Sequence, residues 1–355
     1  ALTHASTGNE GKSNYERLDV ARGQVSQAEA IYQAAYQDFL VRVAVDYFQV
    51  LTTQDRVIFA EAEELALQRQ FEQAEQKFEV GLTAITDVYE ARASYDNARA
   101  RAIVARNELA DAKEGLRQLT GQYFDEVDAL QEELPLVDPD PNNIEEWVQT
   151  ALEFNPFVVQ ARFATDIADA NVRLQRTGHF PTLNFNAGYN DFTNNAIQLT
   201  NDIGEVIATT ELVSDELRYG ISLNVPIYQG GFVSSRTRQA RYELGAVQQD
   251  LENQQRFTMR ETRNAYRAVV AGIEQVQAFG QALISGESAL EATQAGFEVG
   301  TRTIVDVLLA QQRFYGAARD NSLARHTYIL NHLRLKLAAG LLVEEDLRKV
   351  NAILE

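Results

Sequence analysis

The sequence of 355 residues contains no cysteine at all. Disulfide bonds, thiolate metal sites and a cysteine nucleophile are therefore excluded. The sequence also lacks an apolar run long enough to form a membrane-spanning helix. A role within a membrane would consequently have to come from β-strands.

Basic residues are scarce relative to acidic ones. There are 32 lysines and arginines against 51 aspartates and glutamates, which gives a formal net charge of -19. Nucleic acid is an unfavourable partner, because binding to phosphate needs lysine and arginine. Docking on anionic lipid is disfavoured for the same reason. The acidity favours a solvated surface, and a lumen that prefers cations is the alternative interpretation.

Catalytic motifs are missing as well. The four histidines, His4, His179, His326 and His332, are not in a zinc-ligand spacing such as HExxH. The sequence has no GxSxG, P-loop or GxGxxG motif. We therefore predict no catalytic site, no cofactor and no metal site.

Proline is rare and clustered, with six in the whole chain. The long stretches between the clusters are rich in Ala, Gln, Glu, Arg and Leu, which are good helix formers. Residues 232–297 predict a single helix of roughly 100 Å. Its apolar and small residues alternate steps of four and three, which is typical of helices that supercoil: Val269, Ile273, Val276, Gly280, Leu283, Leu290 and Phe297, interrupted at Glu287.

An internal repeat organises the chain. Residues 78–121 align without a gap with residues 297–340, and both segments begin with FEVG and end on glycine. Gly81 and Gly300 supply the permissive backbone that a tight turn between two helices needs. Each half therefore predicts an αα-hairpin of two long helices.

Two segments, 182–190 and 218–227, alternate between apolar and polar residues. About ten residues is the length of a membrane-crossing strand with one lipid-facing side, although a half-buried strand of a soluble sheet alternates equally well. The acidic segment 191–217 between them predicts a long loop. The apolar side, which we expect to face lipid, carries Leu183, Phe185, Tyr219, Ile221, Leu223 and Val225.

Five motifs make the chain resemble the TolC family of outer-membrane efflux channels: FEVGLTAITDV, FEVGTRTIVDVL, NPFVVQAR, GHFPTLNFNAGY and LNVPIYQGG. The resemblance implies a mainly α fold with a small β part. Two tandem coiled-coil hairpin repeats would form an α-barrel tunnel, joined to a transmembrane β-barrel that is completed by trimerisation. It further implies a passive exit duct of a tripartite efflux or type I secretion system, gated at its periplasmic end. The expected location is the outer membrane of a Gram-negative cell, extending into the periplasm.

The implied partners are two further copies of the chain, a periplasmic adaptor protein, an inner-membrane pump and outer-membrane lipid. A soluble coiled-coil scaffold or adaptor-like protein is the alternative, and a hydrolase carried on helices is a remote one. The expected division is a loop remnant or truncated strand region at 1–13, a first hairpin at 14–121, a linker and equatorial segment at 122–156, a helix at 157–180, a strand pair with its loop at 181–230, a second hairpin at 231–340 and a C-terminal equatorial helix at 341–355.

The chain departs from this family in its first half. The repeat places residues 1–11, ALTHASTGNEG, opposite the strand at 220–230, yet these residues do not alternate. The counterpart of the strand at 181–189 would precede residue 1. We therefore expect the first repeat to lack its two strands in this sequence.

The resemblance also assigns residues near the two turns. It implies that Arg302 bonds to Asp87 to close the periplasmic mouth, whereas an arginine at a turn also caps helix-end carbonyls. Phe297 stands where the family often has tyrosine, which predicts a weaker constriction. Asp306 matches one member of a cation-binding ring of aspartates. The turns at Gly81 and Gly300 are the expected docking points for the adaptor.

Overall fold

The computed structural model describes residues 11–131, 133–200, 202 and 205–354. The segment expected as a loop remnant at 1–13 lies largely outside these residues. None of the described helices is both long and apolar enough to cross a membrane. The elements are α1 (Gly11–Glu79), α2 (Ile85–Thr120), α3 (Ile144–Phe154), α4 (Pro156–Arg176), a 3-10 turn (Thr177–His179), β1 (Thr182–Thr200), β2 (Val206–Asn224), α5 (Phe232–Glu298), α6 (Ile304–Ala339) and α7 (Glu344–Asn351).

The predicted hairpin pattern is present in both halves of the chain. Helix α1 has 69 residues and α5 has 67, and each is followed by a short turn and a helix of 36 residues. The helix predicted over 232–297 is confirmed and ends one residue later. Proline-free sequence and the heptad-like spacing account for this length, because nothing interrupts the backbone hydrogen bonds.

The chain divides into two compact units. One comprises residues 30–159 and 254–355. Its largest cluster of buried side chains joins α1, α3, α5 and α6 through Phe48, Leu51, Trp147, Val269, Tyr328, Ile329, Leu335 and Ala339. The segment before α3 packs on this cluster, because the Tyr328 hydroxyl donates to the Val137 carbonyl and accepts from its N–H.

Helix α3 lies in the segment that was expected as a linker and equatorial region. It begins after Asn143, whose side chain accepts a hydrogen bond from the Glu145 N–H at 3.0 Å. The Asn143 amide also donates to Glu146 at 2.8 Å. Such an N-cap followed by acidic residues is a helix start that the sequence does contain.

The other unit comprises residues up to 29 together with 160–253. Here α1 and α4 approach closely, because a Cβ placed on Gly23 would lie 2.7 Å from Ile167. Arg173 of α4 binds Glu16 of α1 at 2.8 Å. The same unit contains the two strands.

Strands β1 and β2, of 19 residues each, pair antiparallel, and their register is interrupted between Asn194 and Ile197 and again between Leu199 and Thr200. The loop expected over 191–217 was wrong, because β1 continues to Thr200 and β2 begins at Val206. Polar residues there suggested a loop, but the segment is rich in threonine and other β-branched residues that favour strands. Val225 lies just beyond β2, immediately before Pro226.

The predicted apolar face of the strand pair follows from this register. Leu183 lies opposite Leu223, and Phe185 lies opposite Ile221. Since residues paired directly across two strands share one face, these four side chains lie together. All the predicted lipid-facing side chains are exposed in the single chain.

Candidate gate at the hairpin turns

The turn after α1 is built around Gly81, whose φ is +76°. The Gly81 N–H donates to the Phe78 carbonyl at 2.9 Å, and the Leu82 N–H donates to the Lys77 carbonyl at 2.7 Å. A glycine in the left-handed region with these bonds is a typical helix ending. It leaves Val80 and Leu82 exposed at the turn, by 68% and 76%.

The turn after α5 repeats this geometry at Gly300, with φ of +81°. The Thr301 N–H donates to the Gly296 carbonyl at 2.8 Å, and the Arg302 N–H donates to the same carbonyl at 3.2 Å. The side chain of Arg302 lies over Gly296, where an added Cβ would be 2.8 Å from the Arg302 Cγ. Val299 is exposed here as Val80 is in the first turn.

Asp306 is engaged at the start of α6. Thr303 is the N-cap, and its hydroxyl accepts from the Asp306 N–H at 3.2 Å while Asp306 Oδ2 accepts from the Thr303 N–H at 2.9 Å. This reciprocal pair is a capping box. The backbone N–H and hydroxyl of Thr303, with the nearby charge of Arg302, lower the pKa of Asp306. The T-x-x-D spacing of the sequence is the signal from which this cap could have been predicted.

Asp87 occupies the same position in α2 but lacks such a cap. The N-cap there is Ala84, which offers no side-chain hydrogen bond. The carboxylate of Asp87 accepts a hydrogen bond from the Thr83 hydroxyl instead. Thr83 and Arg302 hold equivalent positions in the two repeats but differ in residue type. The helices that follow them also differ, because α6 has a side-chain N-cap and α2 has none.

Arg302 and Asp87 do not form an ion pair with each other in the described part of the chain. Arg302 is exposed and Asp87 is half-buried. No side-chain hydrogen bond or ion pair of Arg302 occurs among the described residues, so the helix-end role is fulfilled by its backbone N–H and not by its guanidinium.

Phe297 packs where the two hairpins meet. It contacts a cluster, here called the tip cluster, of Leu67, Ala74, Val88, Ala91, Ala98, Ile304 and Leu308. The ammonium of Lys77 lies 4.4 Å from the centre of the Phe297 ring, a cation–π distance. The tip cluster therefore joins the first hairpin to the second near both turns.

Metal-binding chemistry is not evident near these turns. Over the parts of the chain that the structure describes, no group of three or more His, Asp or Glu side chains is arranged to hold a metal ion. The two carboxylates of interest, Asp87 and Asp306, are each held by a local threonine.

Comparisons with known proteins agree with this architecture. The sequence model of the family described as outer membrane efflux protein matches residues 10–122 and 147–341. The chain is 40% identical over 341 residues to the outer membrane protein TolC of Vibrio cholerae. The aligned region covers 96% of this chain and 76% of that protein. The chain is 36% identical over 341 residues to the outer membrane protein TolC of Escherichia coli. That alignment covers 96% of this chain and 69% of that protein.

A solved structure is similar as well. The CmeC outer membrane channel of Campylobacter jejuni superposes on the chain with a TM-score of 0.78 at 15% sequence identity. The superposition covers 98% of this chain and 73% of that one. At this identity the likeness concerns the fold alone, and that fold agrees with the predicted pair of helical hairpins.

Proposed function

The chain belongs to the outer membrane efflux protein family, and we propose that its two hairpin turns form the periplasmic gate of a channel assembled from three copies. The protein is an outer-membrane exit channel for efflux or secretion in a Gram-negative cell. The family is one of transport channels rather than enzymes. The alternative of a soluble coiled-coil scaffold has no support from the comparisons.

The position of Arg302 is the observation that carries this proposal. Its guanidinium is exposed beside the second turn, and Asp87 lies beside the first. The tip cluster holds the two hairpins of one protomer together without using either charge. Both charges therefore remain for a neighbouring copy, and an Arg302–Asp87 ion pair between protomers would close the mouth of the channel.

The expected strength of the closure is modest. An exposed ion pair contributes about 0.2–1 kcal/mol, so a single pair would not hold a gate. Three pairs around an axis, with charge-assisted hydrogen bonds, favour closure by about 3 kcal/mol. Such a bias changes a two-state equilibrium by roughly two orders of magnitude. A partner protein that binds the turns can supply a free energy of this size.

Asp306 has a different proposed part. Its contacts with Thr303 use Oδ2, so Oδ1 remains to face a cation. Hydrogen bonding lowers the pKa of this carboxyl, which keeps it ionised. Three such carboxylates around one axis would concentrate cations at the constriction.

The turns themselves are the proposed contact with a periplasmic adaptor, which in turn connects to an inner-membrane pump. Val80 and Leu82 beside Gly81, and Val299 beside Gly300, are exposed apolar side chains on short, bare turns. Small apolar tips of this kind suit docking against another helical hairpin.

The strand pair is the proposed membrane contact. Its apolar face, with Leu223 paired to Leu183, matches the pattern of a lipid-facing strand. Its outer edges carry backbone groups that must be paired in hydrocarbon. Strands from other copies would satisfy them in a closed barrel.

The gate is tested by single-channel recording in planar bilayers. Arg302→Ser and Asp87→Ala should each raise the conductance, because each removes the proposed ion pair. Arg313, an exposed arginine on α6 outside the turn, supplies the matched control, since Arg313→Ser removes the same charge and should conduct like the parent. Parent-like conductance of Arg302→Ser would show that the closure does not depend on this residue.

A further inference from the structure

A buried carboxylate connects the two hairpins above the tip cluster. Glu63 of α1 is 1% exposed. Its Oε1 accepts a hydrogen bond from Arg101 of α2 at 2.7 Å. On its other side, Nη1 of Arg319 from α6 lies 3.8 Å from Oε2.

One oxygen of this carboxylate is incompletely satisfied. Oε2 is fully buried, and no donor among the described residues reaches it within hydrogen-bond distance. The separation of 3.8 Å from Arg319 is an ion-pair contact that is too long for a hydrogen bond. A buried charge is unfavourable unless its hydrogen bonds are complete. This arrangement of the hairpins is therefore less favourable at Glu63 than one in which Arg319 comes closer.

The packing around Glu63 leaves room for such a movement. A cavity of about 390 Å³ lies on one side, lined in part by Glu63, Arg101 and Leu308. A second cavity of about 550 Å³, lined in part by Arg101 and Arg319, lies nearby. Close-packed interiors resist displacement, whereas these two spaces leave room beside α6.

The required shift is small. Shortening the Arg319–Glu63 distance from 3.8 Å to an ordinary hydrogen bond needs a displacement of roughly 0.9 Å. Arg319 and the start of α6 at Ile304 are 15 residues apart, which corresponds to about 22 Å of helix. A small displacement of α6 at Glu63 can therefore accompany a larger one at the turns.

We propose that Glu63 is a positioning residue of the gate, whose second oxygen takes a hydrogen bond from Arg319 when the second hairpin shifts toward the open arrangement. The free energy gained from this hydrogen bond at Glu63 offsets part of the free energy lost when the Arg302–Asp87 ion pairs at the turns break. This inference rests on the gate proposed above, but it predicts an effect of opposite sign. Loss of Arg302 favours opening, whereas loss of Arg319 favours closure.

The test compares the open-to-closed ratio of full-length channels in planar bilayers. Arg319→Gln should lower that ratio by about tenfold for each copy of the chain in the channel, the factor that one hydrogen bond to a charged group supplies, both in the parent and in the Arg302→Ser background. Arg319→Lys keeps the positive charge and should lower the ratio less than Arg319→Gln does. Arg313→Gln, which removes the same charge from the same helix, should leave the ratio unchanged.

A second variant separates coupling from simple loss of folding. Glu63→Gln keeps the size of the side chain and should lower the open-to-closed ratio as Arg319→Gln does. The double variant should lower the ratio no further than either single variant, because both changes remove the same Arg319–Glu63 interaction. An unchanged or increased ratio in Arg319→Gln would overturn the inference. If Arg302→Ser raises conductance and Arg319→Gln behaves like the control, only the role of Glu63 fails. If Arg302→Ser has no effect while Arg319→Gln still lowers the ratio, the Arg302 closure fails and the role of Glu63 stands.

Discussion

The two hairpins differ most sharply in how their second helices begin, and this difference is open to a direct test. Thr303 has φ and ψ of -91° and 162°, and Ala84 has -83° and 154°. The two backbones are thus nearly identical, and each helix carries an aspartate three residues later. Thr303→Ala removes the cap of α6, and Ala84→Thr introduces the missing cap of α2.

The expected magnitude follows from the geometry of the cap. Replacing an N-cap threonine by alanine costs about 1 kcal/mol, and the capping box at Thr303 has both of its hydrogen bonds, at 3.2 and 2.9 Å. That free energy corresponds to roughly a fivefold change in local opening. Opening near Asp306 should therefore increase about fivefold in Thr303→Ala, and opening near Asp87 should decrease in Ala84→Thr by a similar or smaller factor, since Thr83 already binds that carboxylate.

Hydrogen–deuterium exchange read by mass spectrometry measures both effects on peptides that cover the two turns. Thr293→Ala is the matched control, because the Thr293 hydroxyl bonds to the carbonyl of Ala289 within α5 and caps no helix. Exchange near the second turn that is the same in Thr303→Ala and in this control would refute the reasoning. A change confined to Thr303→Ala with none in Ala84→Thr would show that the first turn does not accept a cap.

Two further predictions concern pH and the strands. Burial lowers the pKa of His326 more than a nearby carboxylate raises it, so the folded protein binds this proton less readily than the unfolded chain. The contribution of His326 to the free energy of unfolding should therefore fall as the pH drops below about 6.5, and it should stop falling below the pKa of His326 in the folded protein. In thermal unfolding measured at a series of pH values, His326→Gln should reduce the dependence of stability on pH in this range. An unchanged dependence would contradict the assignment. On the strands, Leu223→Arg should impair assembly in the membrane by about 2–4 kcal/mol if that face meets lipid at mid-depth, whereas Ser222→Arg on the opposite face should assemble. Equal assembly of both variants, measured as folded oligomer in extracted membranes, would argue against a membrane-facing strand.

The helical part of the fold was predictable because its signals are local and repeated. Proline-free sequence, the heptad-like spacing of α5 and the paired FEVG segments indicate two long hairpins without any knowledge of packing. Helix α3 was missed although Asn143 and Glu146 form a recognisable start. The extension of β1 to Thr200 and the early start of β2 at Val206 were missed because polar and apolar residues are mixed in both alternating sets of this sequence, so periodicity gave no single apolar side to detect.

The candidate site was predictable in part. Gly81 and Gly300 could be placed from the repeat, since a left-handed residue is needed at each turn. Glu63 could not be identified, because a glutamate on a long helix ordinarily indicates a solvated face. Its burial depends on Arg101 and Arg319, which are brought together from two other helices only by the tertiary fold.

The paired strands have a consequence for how the protein is made. In the protomer, β1 and β2 pair only with each other among the described residues. If they cross the membrane as proposed, a copy that entered lipid alone would expose two rows of unpaired backbone groups, each of which costs several kcal/mol in hydrocarbon. Encounter between copies would then have to precede or accompany insertion. The yield of mature protein should therefore depend steeply on the concentration of newly made chains, and a single-copy intermediate should not accumulate in the bilayer.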